Sequence, residues 1–349
     1  MSTPAFLWLD PPDGPAIKLL DQTRLPAEEV FVTCSEVADL VDAVSRLAVR
    51  GAPLLGLAGA FGVALAAARG DDVEAAAQAL ASARPTAVNL AWGVRRALRA
   101  YQAAVAGSDP VPVPNAGAVA VLQQARQIAA EDAAASATMA AHGLGLVPDR
   151  ARILTHCNTG CLVSAGEGTA FAVVLAAHRA GRLARLWVDE TRPLLQGARL
   201  TTWEARRAGI PHALLADSAA ASLLASGQVD LVLTGADRIA ADGSVANKIG
   251  TYGLAVLARQ HDVPFVVVAP VSTVDFGTPD GGSITVEFRA AAEVTNVGGR
   301  PVAPAGTKAY NPAFDVTPPS LITAIVTELG VIQPVTAGNL RVLGLVPTP

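Results

Sequence analysis

Ile153-Leu154-Thr155-His156-Cys157-Asn158-Thr159-Gly160-Cys161 is an apolar run that stops abruptly at an imidazole, a thiol, an amide and a glycine. It reads as a strand delivering Cys157 to the carboxyl edge of a parallel sheet, where open α/β folds bind their ligands. Taken alone, the stretch leaves Cys157 open as a nucleophile, a metal ligand or an inert core residue. Around it, short β-branched runs alternate with helical ones. Candidate strands lie at 152–155, 183–188, 213–216, 231–234 and 265–268. That alternation predicts a Rossmann-like α/β domain with right-handed crossovers. No Gly-x-Gly-x-x-Gly follows the first strand, so a dinucleotide is not implied.

Upstream the texture differs. Short strands are expected at 6–9, 16–20 and 29–34, then a helix started by Ser35 as N-cap with Glu36 in its first turn, and further helices to about residue 145, including a long one over 118–142. The fold class is therefore α/β, with a smaller domain of a short antiparallel sheet plus helices over 1–146 preceding the Rossmann-like domain over 147–349. A length of 349 residues fits two domains at roughly 150 residues each. Ala52 to Ala68 carries no charge but is short, rich in Ala and Gly and interrupted by Pro53; it reads as a buried helix rather than a membrane span. Pro110-Val111-Pro112-Val113-Pro114 reads as a surface loop.

With 51% hydrophobic and 16% charged residues the chain can bury large cores, and its net charge of −4 offers no broad attraction to nucleic acid. Lysine occurs only at Lys18, Lys248 and Lys308, against a background of arginine. Three cysteines, Cys34, Cys157 and Cys161, make no disulfide framework and suit a reducing cytosol. The first ten residues lack the pattern of a signal peptide.

Polar residues gather where the predicted strands end: Cys157 and Asn158, Asp189 and Glu190, Asp217, Asp237 and Arg238. Asp237, in Gly235-Ala236-Asp237-Arg238-Ile239, is either a turn former or a ligand contact. After the tight turn at Ala241-Asp242-Gly243-Ser244, Asn247-Lys248-Ile249-Gly250-Thr251-Tyr252 reads as an N-cap entering a helix, and a helix start beside a lysine suits a phosphate. Arg50-Gly51-Ala52-Pro53 is a second start of the same kind, and Arg84 precedes a third helix. Gly56, Gly59 and Gly62 recur on one helical face, which fits close helix packing. His156, Cys157 and Cys161 lack the fourth group a structural zinc needs. His156 and Cys157 are adjacent on a strand and face opposite ways, so His156 is badly placed as a base for the thiol.

Taken in order, Leu19-Leu20-Asp21-Gln22, Val49-Arg50-Gly51-Ala52-Pro53, Arg84-Pro85-Thr86-Ala87-Val88-Asn89-Leu90, Thr155 to Gly160, Glu190 to Thr201, Gly235 to Ile239, Ala246 to Tyr252 and Asn311 to Pro318 resemble the methylthioribose-1-phosphate isomerases of methionine salvage. The resemblance implies an aldose–ketose isomerisation without metal or organic cofactor, in a homodimer; the charge, the 52–68 segment and the cysteines read above add that it is cytoplasmic and engages neither membrane nor nucleic acid. It implies Cys157 and Asp237 as the catalytic pair and Arg50, Gly51, Ala52, Arg84, Gln196, Asn247 and Lys248 as substrate contacts. Two positions depart from the family pattern: Cys161 stands where a small residue is usual, and Phe288 replaces a usual acid. Two alternatives remain, an isomerase of another pentose 1-phosphate such as 5-deoxyribose 1-phosphate or ribose 1,5-bisphosphate, and a non-catalytic relative like the regulatory subunits of the translation-initiation guanine nucleotide exchange factor.

Overall fold

A computed structural model describes residues 4–84, 86–106 and 115–344; the predicted proline loop at 110–114 and Pro85 lie outside the described residues. The chain forms two units, one of residues 1–137 with Cys161–Gly168, the other of Thr138–Gly160 with residues 169–349.

The first unit opens with β1 (Phe6–Leu9), β2 (Ala16–Leu20) and β3 (Phe31–Cys34) in an antiparallel sheet, Ile17 opposite both Trp8 and Cys34. Helix α1 (Val37–Ser45) follows, its start fixed by the Asp39 carboxylate, which accepts the Ser35 and Glu36 N–H groups at 3.0 Å each. The N-cap is thus Glu36, one residue beyond the Ser35 expected. Helix α2 (Ala52–Arg69) is the uncharged segment, and 83% of it is buried, which makes it the core helix of its unit. Around it stand α3 (Val73–Ser82) and α4 (Val88–Ala106).

The glycines of α2 do what their spacing predicts. A Cβ on Gly59 would sit 2.7 Å from the Leu90 carbonyl oxygen, and one on Gly93 of α4 would sit 2.0 Å from that of Gly56. The two helices therefore touch backbone to backbone, and alanine at either face would force them apart. Helix α5 (Ala116–Leu144) realises the predicted long helix, about 43 Å at 1.5 Å per residue, and the boundary between the units falls within it.

The second unit contains β4 (Ala151–Thr155), α6 (Ala170–Arg179), β5 (Leu183–Asp189), α7 (Thr202–Arg207), β6 (His212–Leu215), α8 (Ala220–Ala225) and β7 (Leu231–Thr234). Next come β8 (Arg238–Ala240), β9 (Val245–Lys248), α9 (Thr251–Gln260), β10 (Phe265–Val268) and β11 (Val274–Asp275). A ribbon of β12 (Asn296–Val297) and β13 (Arg300–Pro301), then β14 (Phe314–Thr317), β15 (Ala324–Thr327) and β16 (Gly330–Ile332), complete the strands.

The main sheet has the order β16-β15-β10-β7-β4-β5-β6, all neighbours parallel except the edge pair β15–β16. Its central strands are buried on both faces, as Phe265-Val266-Val267-Val268 and Leu231-Val232-Leu233-Thr234 show; continuous apolar runs are what a doubly covered parallel sheet requires. Counting only the parallel strands in chain order, the sheet reads 6-5-4-1-2-3, the doubly wound Rossmann arrangement predicted above. Strand order reverses between β4 and β7, so the crevice beyond their carboxyl ends is where a ligand is expected.

The sequence reading contained no counterpart of the second sheet, β11-β8-β9-β14. Here β8 and β9 form an antiparallel hairpin and β14 pairs antiparallel to β9 with Asn247 opposite Asp315. The Asp242–Gly243 turn was foreseen, and its Asp242 carboxylate accepts the Ser244 N–H at 2.8 Å.

Candidate active site

Cys157 and Asp237 follow the two adjacent strands at the switch point. Thr155 of β4 lies opposite Leu233 of β7, and its hydroxyl donates to the Leu233 carbonyl at 2.8 Å. At the far end of the same pair, the Asp230 carboxylate takes both the Arg152 N–H and its guanidinium, which fixes the register. The register carries Cys157 and Asp237 out of the sheet at the same edge.

Cys157 is 8% exposed and sits at φ +64°, in the left-handed region. For a residue with a Cβ that conformation costs about 1–2 kcal/mol, so its surroundings must hold it. Its N–H donates to Thr191 Oγ1 at 2.8 Å and its carbonyl accepts from Thr201 Oγ1 at 2.7 Å. Thr201 ends a π-helical turn over Gly197–Thr201 that runs into α7.

The loop beyond is equally fixed. The Asn158 amide donates to Glu204 and, at 3.3 Å, to Thr201; a Cβ on Gly160 would lie 2.4 Å from the Glu204 carboxylate, so a larger residue there would displace the carboxylate that Asn158 binds. Helix α6 begins at Ala170, thirteen positions after Cys157.

His156 turns away from this work. Its side chain is 1% exposed, with Nδ1 3.0 Å from the Asp189 carboxylate and Nε2 2.9 Å from the Ile249 carbonyl. Burial pulls its pKa down, but the Asp189 hydrogen bond and charge outweigh burial and leave it raised. With both ring nitrogens engaged, the imidazole has none free for the thiol. Asp217 stands close by, its two carboxylate oxygens accepting the Thr191 and Arg192 N–H groups at 2.8 and 2.7 Å. His156, Asp189 and Asp217 lie within 4.8 Å of one another, yet their ring nitrogens and all but one carboxylate oxygen are engaged within the protein. They form a hydrogen-bonded brace joining the ends of β4 and β5 to the start of α9.

Asp237 is half-buried, three residues past β7, and its N–H donates to the Ala246 carbonyl at 2.9 Å. The hairpin thereby folds back over the strand end and brings β9 beside it. Asn247 and Lys248 occupy the last positions of that strand, both buried, rather than the helix start expected of them. The helix begins at Thr251 with Gly250 as N-cap at φ +106°. Its Gly250 and Tyr252 N–H groups are taken by the Asp315 carboxylate at 2.7 and 3.0 Å, because β14 pairs with β9 in that register. The anion at this helix start is internal. Lys248 Nζ donates to the Ala313 carbonyl at 2.8 Å and lies 4.8 Å from the centre of the Phe314 ring; Asn247 donates to Thr251 Oγ1 at 3.0 Å. Gln196 is 3% exposed, and its buried amide oxygen has no hydrogen-bond partner among the described residues.

The remaining predicted contacts lie in the first unit. Gly51 is the N-cap of α2 at φ +93°, Ala52 is the first helical residue and Pro53 the second. Gly51 is required, since a Cβ there would lie 2.3 Å from that of Val163. Arg50, 8% exposed, donates through Nε to Gln22 Oε1 at 3.3 Å, and Gln22 in turn donates to the Leu162 carbonyl at 2.6 Å. Arg84 is half-buried ahead of α4, its carbonyl accepting the Ala87 N–H at 3.0 Å. Of the other cysteines, Cys34 is buried and its thiol is pushed up to about 11 by that burial, as befits an unreactive core residue; Cys161 is half-buried. Sequence reasoning assigned no part to Thr191, Thr201, Glu204 or Asp315. Thr191, Thr201 and Asp315 stood inside the blocks quoted above, with nothing local to mark what they bind.

Residues 48–334 match the Initiation factor 2 subunit family. The methylthioribose-1-phosphate isomerase of Pelotomaculum thermopropionicum is 52% identical over 336 residues, 93% of this chain and 90% of that one. The crystal structure of 5-methylthioribose 1-phosphate isomerase from Pyrococcus horikoshii superposes with a TM-score of 0.88 at 40% identity, covering 98% of this chain and 95% of the other. That of the translation initiation factor eIF-2B subunit delta from A. fulgidus gives 0.81, also at 40% identity, covering 97% and 100%. The chain belongs to the Initiation factor 2 subunit family and, within it, to the methylthioribose-1-phosphate isomerases.

Proposed function

We propose that this chain is the aldose–ketose isomerase that converts 5-methylthio-α-D-ribose 1-phosphate to 5-methylthio-D-ribulose 1-phosphate in methionine salvage, with Cys157 and Asp237 as its reacting groups. The observation that carries the assignment of these two residues is their position beyond neighbouring strands at the reversal of strand order, where a doubly wound sheet binds its ligand. Identity of 52% to an enzyme of that name, over nine-tenths of both chains, supports the reaction. Backbone similarity supports catalysis over a regulatory-subunit role, since at the same 40% identity the Pyrococcus horikoshii isomerase superposes with a TM-score of 0.88 and the subunit-delta homologue with 0.81.

The C1 oxygen of this substrate is esterified to phosphate and cannot become a carbonyl. The ring must open instead by cleavage of the bond between C1 and the ring oxygen. Asp237, protonated, donates to that oxygen as the bond breaks. Cys157, as thiolate, takes the C2 proton and returns it to C1, while the C2 hydroxyl loses its proton as the ketone forms. That loss balances the proton given to the ring oxygen. A direct hydride shift from C2 to C1 gives the same product, and deuterium from solvent appearing at C1 distinguishes the thiolate route.

Arg50, Gly51, Ala52, Arg84, Gln196, Asn247 and Lys248 are the proposed substrate contacts, with the arginines and Lys248 facing phosphate and the open Gln196 oxygen accepting from a sugar hydroxyl. The enzyme acts as a cytosolic homodimer, without metal or organic cofactor. Three unbridged cysteines fit that compartment.

The test is a coupled assay for the ketose phosphate. Cys157→Ser and Asp237→Asn are each expected to lower kcat by at least about 10³-fold with melting temperature retained. Near-wild-type turnover in either variant sinks the role given to that residue, and turnover of ribose 1,5-bisphosphate or 5-deoxyribose 1-phosphate above that of the methylthio sugar reassigns the substrate.

A further inference from the structure

A cysteine in the left-handed region is held there by something other than its own preference. In most turns the neighbouring backbone would supply the partners. Here both peptide groups of Cys157 are engaged by threonine hydroxyls, one from the turn after β5 and one from the turn before α7.

The polarity of each contact is fixed. Thr191 Oγ1 spends its one proton on the Asp189 carbonyl at 3.1 Å, so it can only accept from the Cys157 N–H. Thr201 Oγ1 spends its proton on the Cys157 carbonyl and accepts from the Asn158 amide at 3.3 Å. Both side chains are buried, at 0% and 1% exposure, so no water replaces either bond. Thr191 is itself at φ +64° and is pinned by its N–H and that of Arg192 on the Asp217 carboxylate. A valine would fill the same space yet remove that hydrogen bond to Cys157, and the residue would relax toward negative φ and swing its Cβ.

We propose that Thr191 and Thr201 are positioning residues that clamp Cys157 in the left-handed conformation and so set where its thiol points. The importance of this for turnover rests on Cys157 being a reacting group; the clamp itself does not.

The experiment compares Thr191→Val, Thr201→Val, the two serine variants and Cys157→Ser. It reads kcat and KM on methylthioribose 1-phosphate, and the rate of Cys157 alkylation by iodoacetamide, followed by mass spectrometry of its peptide. Each valine variant is expected to lose about 10²-fold in kcat with KM within about threefold, because a small displacement of the reacting atom acts on the chemical step. Alkylation of Cys157 should change at least about fivefold in the same variants, while the serine variants, which keep the hydroxyl, stay within about threefold of wild type on every reading.

Valine variants with unchanged kcat and unchanged alkylation overturn the clamp, as do serine variants that fall as far as valine. If Cys157→Ser still turns over, the catalytic reading fails, and the alkylation rates still decide the clamp. Should one valine variant not fold, the other carries the test, since the two hydroxyls hold opposite ends of the residue. Asp217→Asn, which loosens Thr191 from outside, is expected to fall about tenfold in kcat and supplies the same decision if neither valine variant folds.

Discussion

Two helices of this molecule begin with glycine at positive φ, and both starts read in the sequence as phosphate sites. They differ in what sits in front of them. At α2, Gly51 is followed by Ala52 and by Pro53, which has no N–H of its own, and the residue one position ahead is a cation, Arg50. At α9, the amides after Lys248 are already occupied by Asp315, delivered from a strand more than sixty positions later. A helix start is an anion site only if the protein has not filled it. Sequence windows that look alike therefore diverge on one long-range pairing.

The sharpest way to break the α2 start is Gly51→Ala. The new Cβ meets Val163 at 2.3 Å from a backbone at φ +93°, and stability should fall by about 3–5 kcal/mol in denaturant melts, since strain and overpacking add. Gly70→Ala is the control, because its Cβ meets nothing within 4 Å at φ +77° and strain alone, about 1 kcal/mol, remains.

Arg50→Ala addresses charge rather than shape. KM for the phosphorylated sugar is expected to rise about 10- to 100-fold with a smaller change in kcat, and the rise in melting temperature that inorganic phosphate gives the wild type should disappear. An unchanged KM would leave Arg50 with a structural role, as in its bond to Gln22.

Asp315→Asn tests the filled start. Losing the charge at the Gly250 and Tyr252 amides should lower stability by about 1–2 kcal/mol, while the phosphate-induced rise in melting temperature stays as in wild type. A larger phosphate response in this variant would mean that α9 is an anion site after all.

The smallest effect is one of pH. His156 has a raised pKa in the folded protein, so the stability it contributes is whole below its ordinary value of about 6.5 and fades as pH rises through the elevated one. Asp189, Asp217 and Asp315 are the charged groups around it. Melting temperature measured from pH 6 to pH 9.5 should decline more steeply in wild type than in His156→Gln; parallel curves would remove the charge from the brace.

Much of the placement of the candidate site was legible because it depended on local pattern. An apolar run ending at Cys157, and another ending before Asp237, marked strand ends, and strand ends of a parallel sheet share an edge. The Gly56, Gly59 and Gly62 spacing identified a close helix contact, and the backbone oxygens of Leu90 and Gly56 are what it serves. What failed was Asn247 and Lys248. Val245-Ala246-Asn247-Lys248 has polar residues on both faces and a helix directly after it, so its local pattern favoured an N-cap; pairing with β14 made it a strand. The threonines around Cys157 were silent for the same reason. A threonine that accepts one particular N–H looks, in sequence, like any buried threonine.

The sequence by itself determined the α/β alternation, the uncharged core helix, the strand-end cysteine and aspartate, and the exclusion of His156 as the base for its neighbour. These follow from side-chain periodicity and from the two faces of a strand, which are properties of a few consecutive residues. Tertiary structure alone decided that β4 and β7 are neighbours at the reversal of strand order, that Asp315 fills the start of α9, and that two hydroxyls hold Cys157 at positive φ. Those outcomes depend on hydrogen bonds between residues 34 to 78 positions apart, and the partner of a hydrogen bond at that separation is fixed by how the whole sheet assembles.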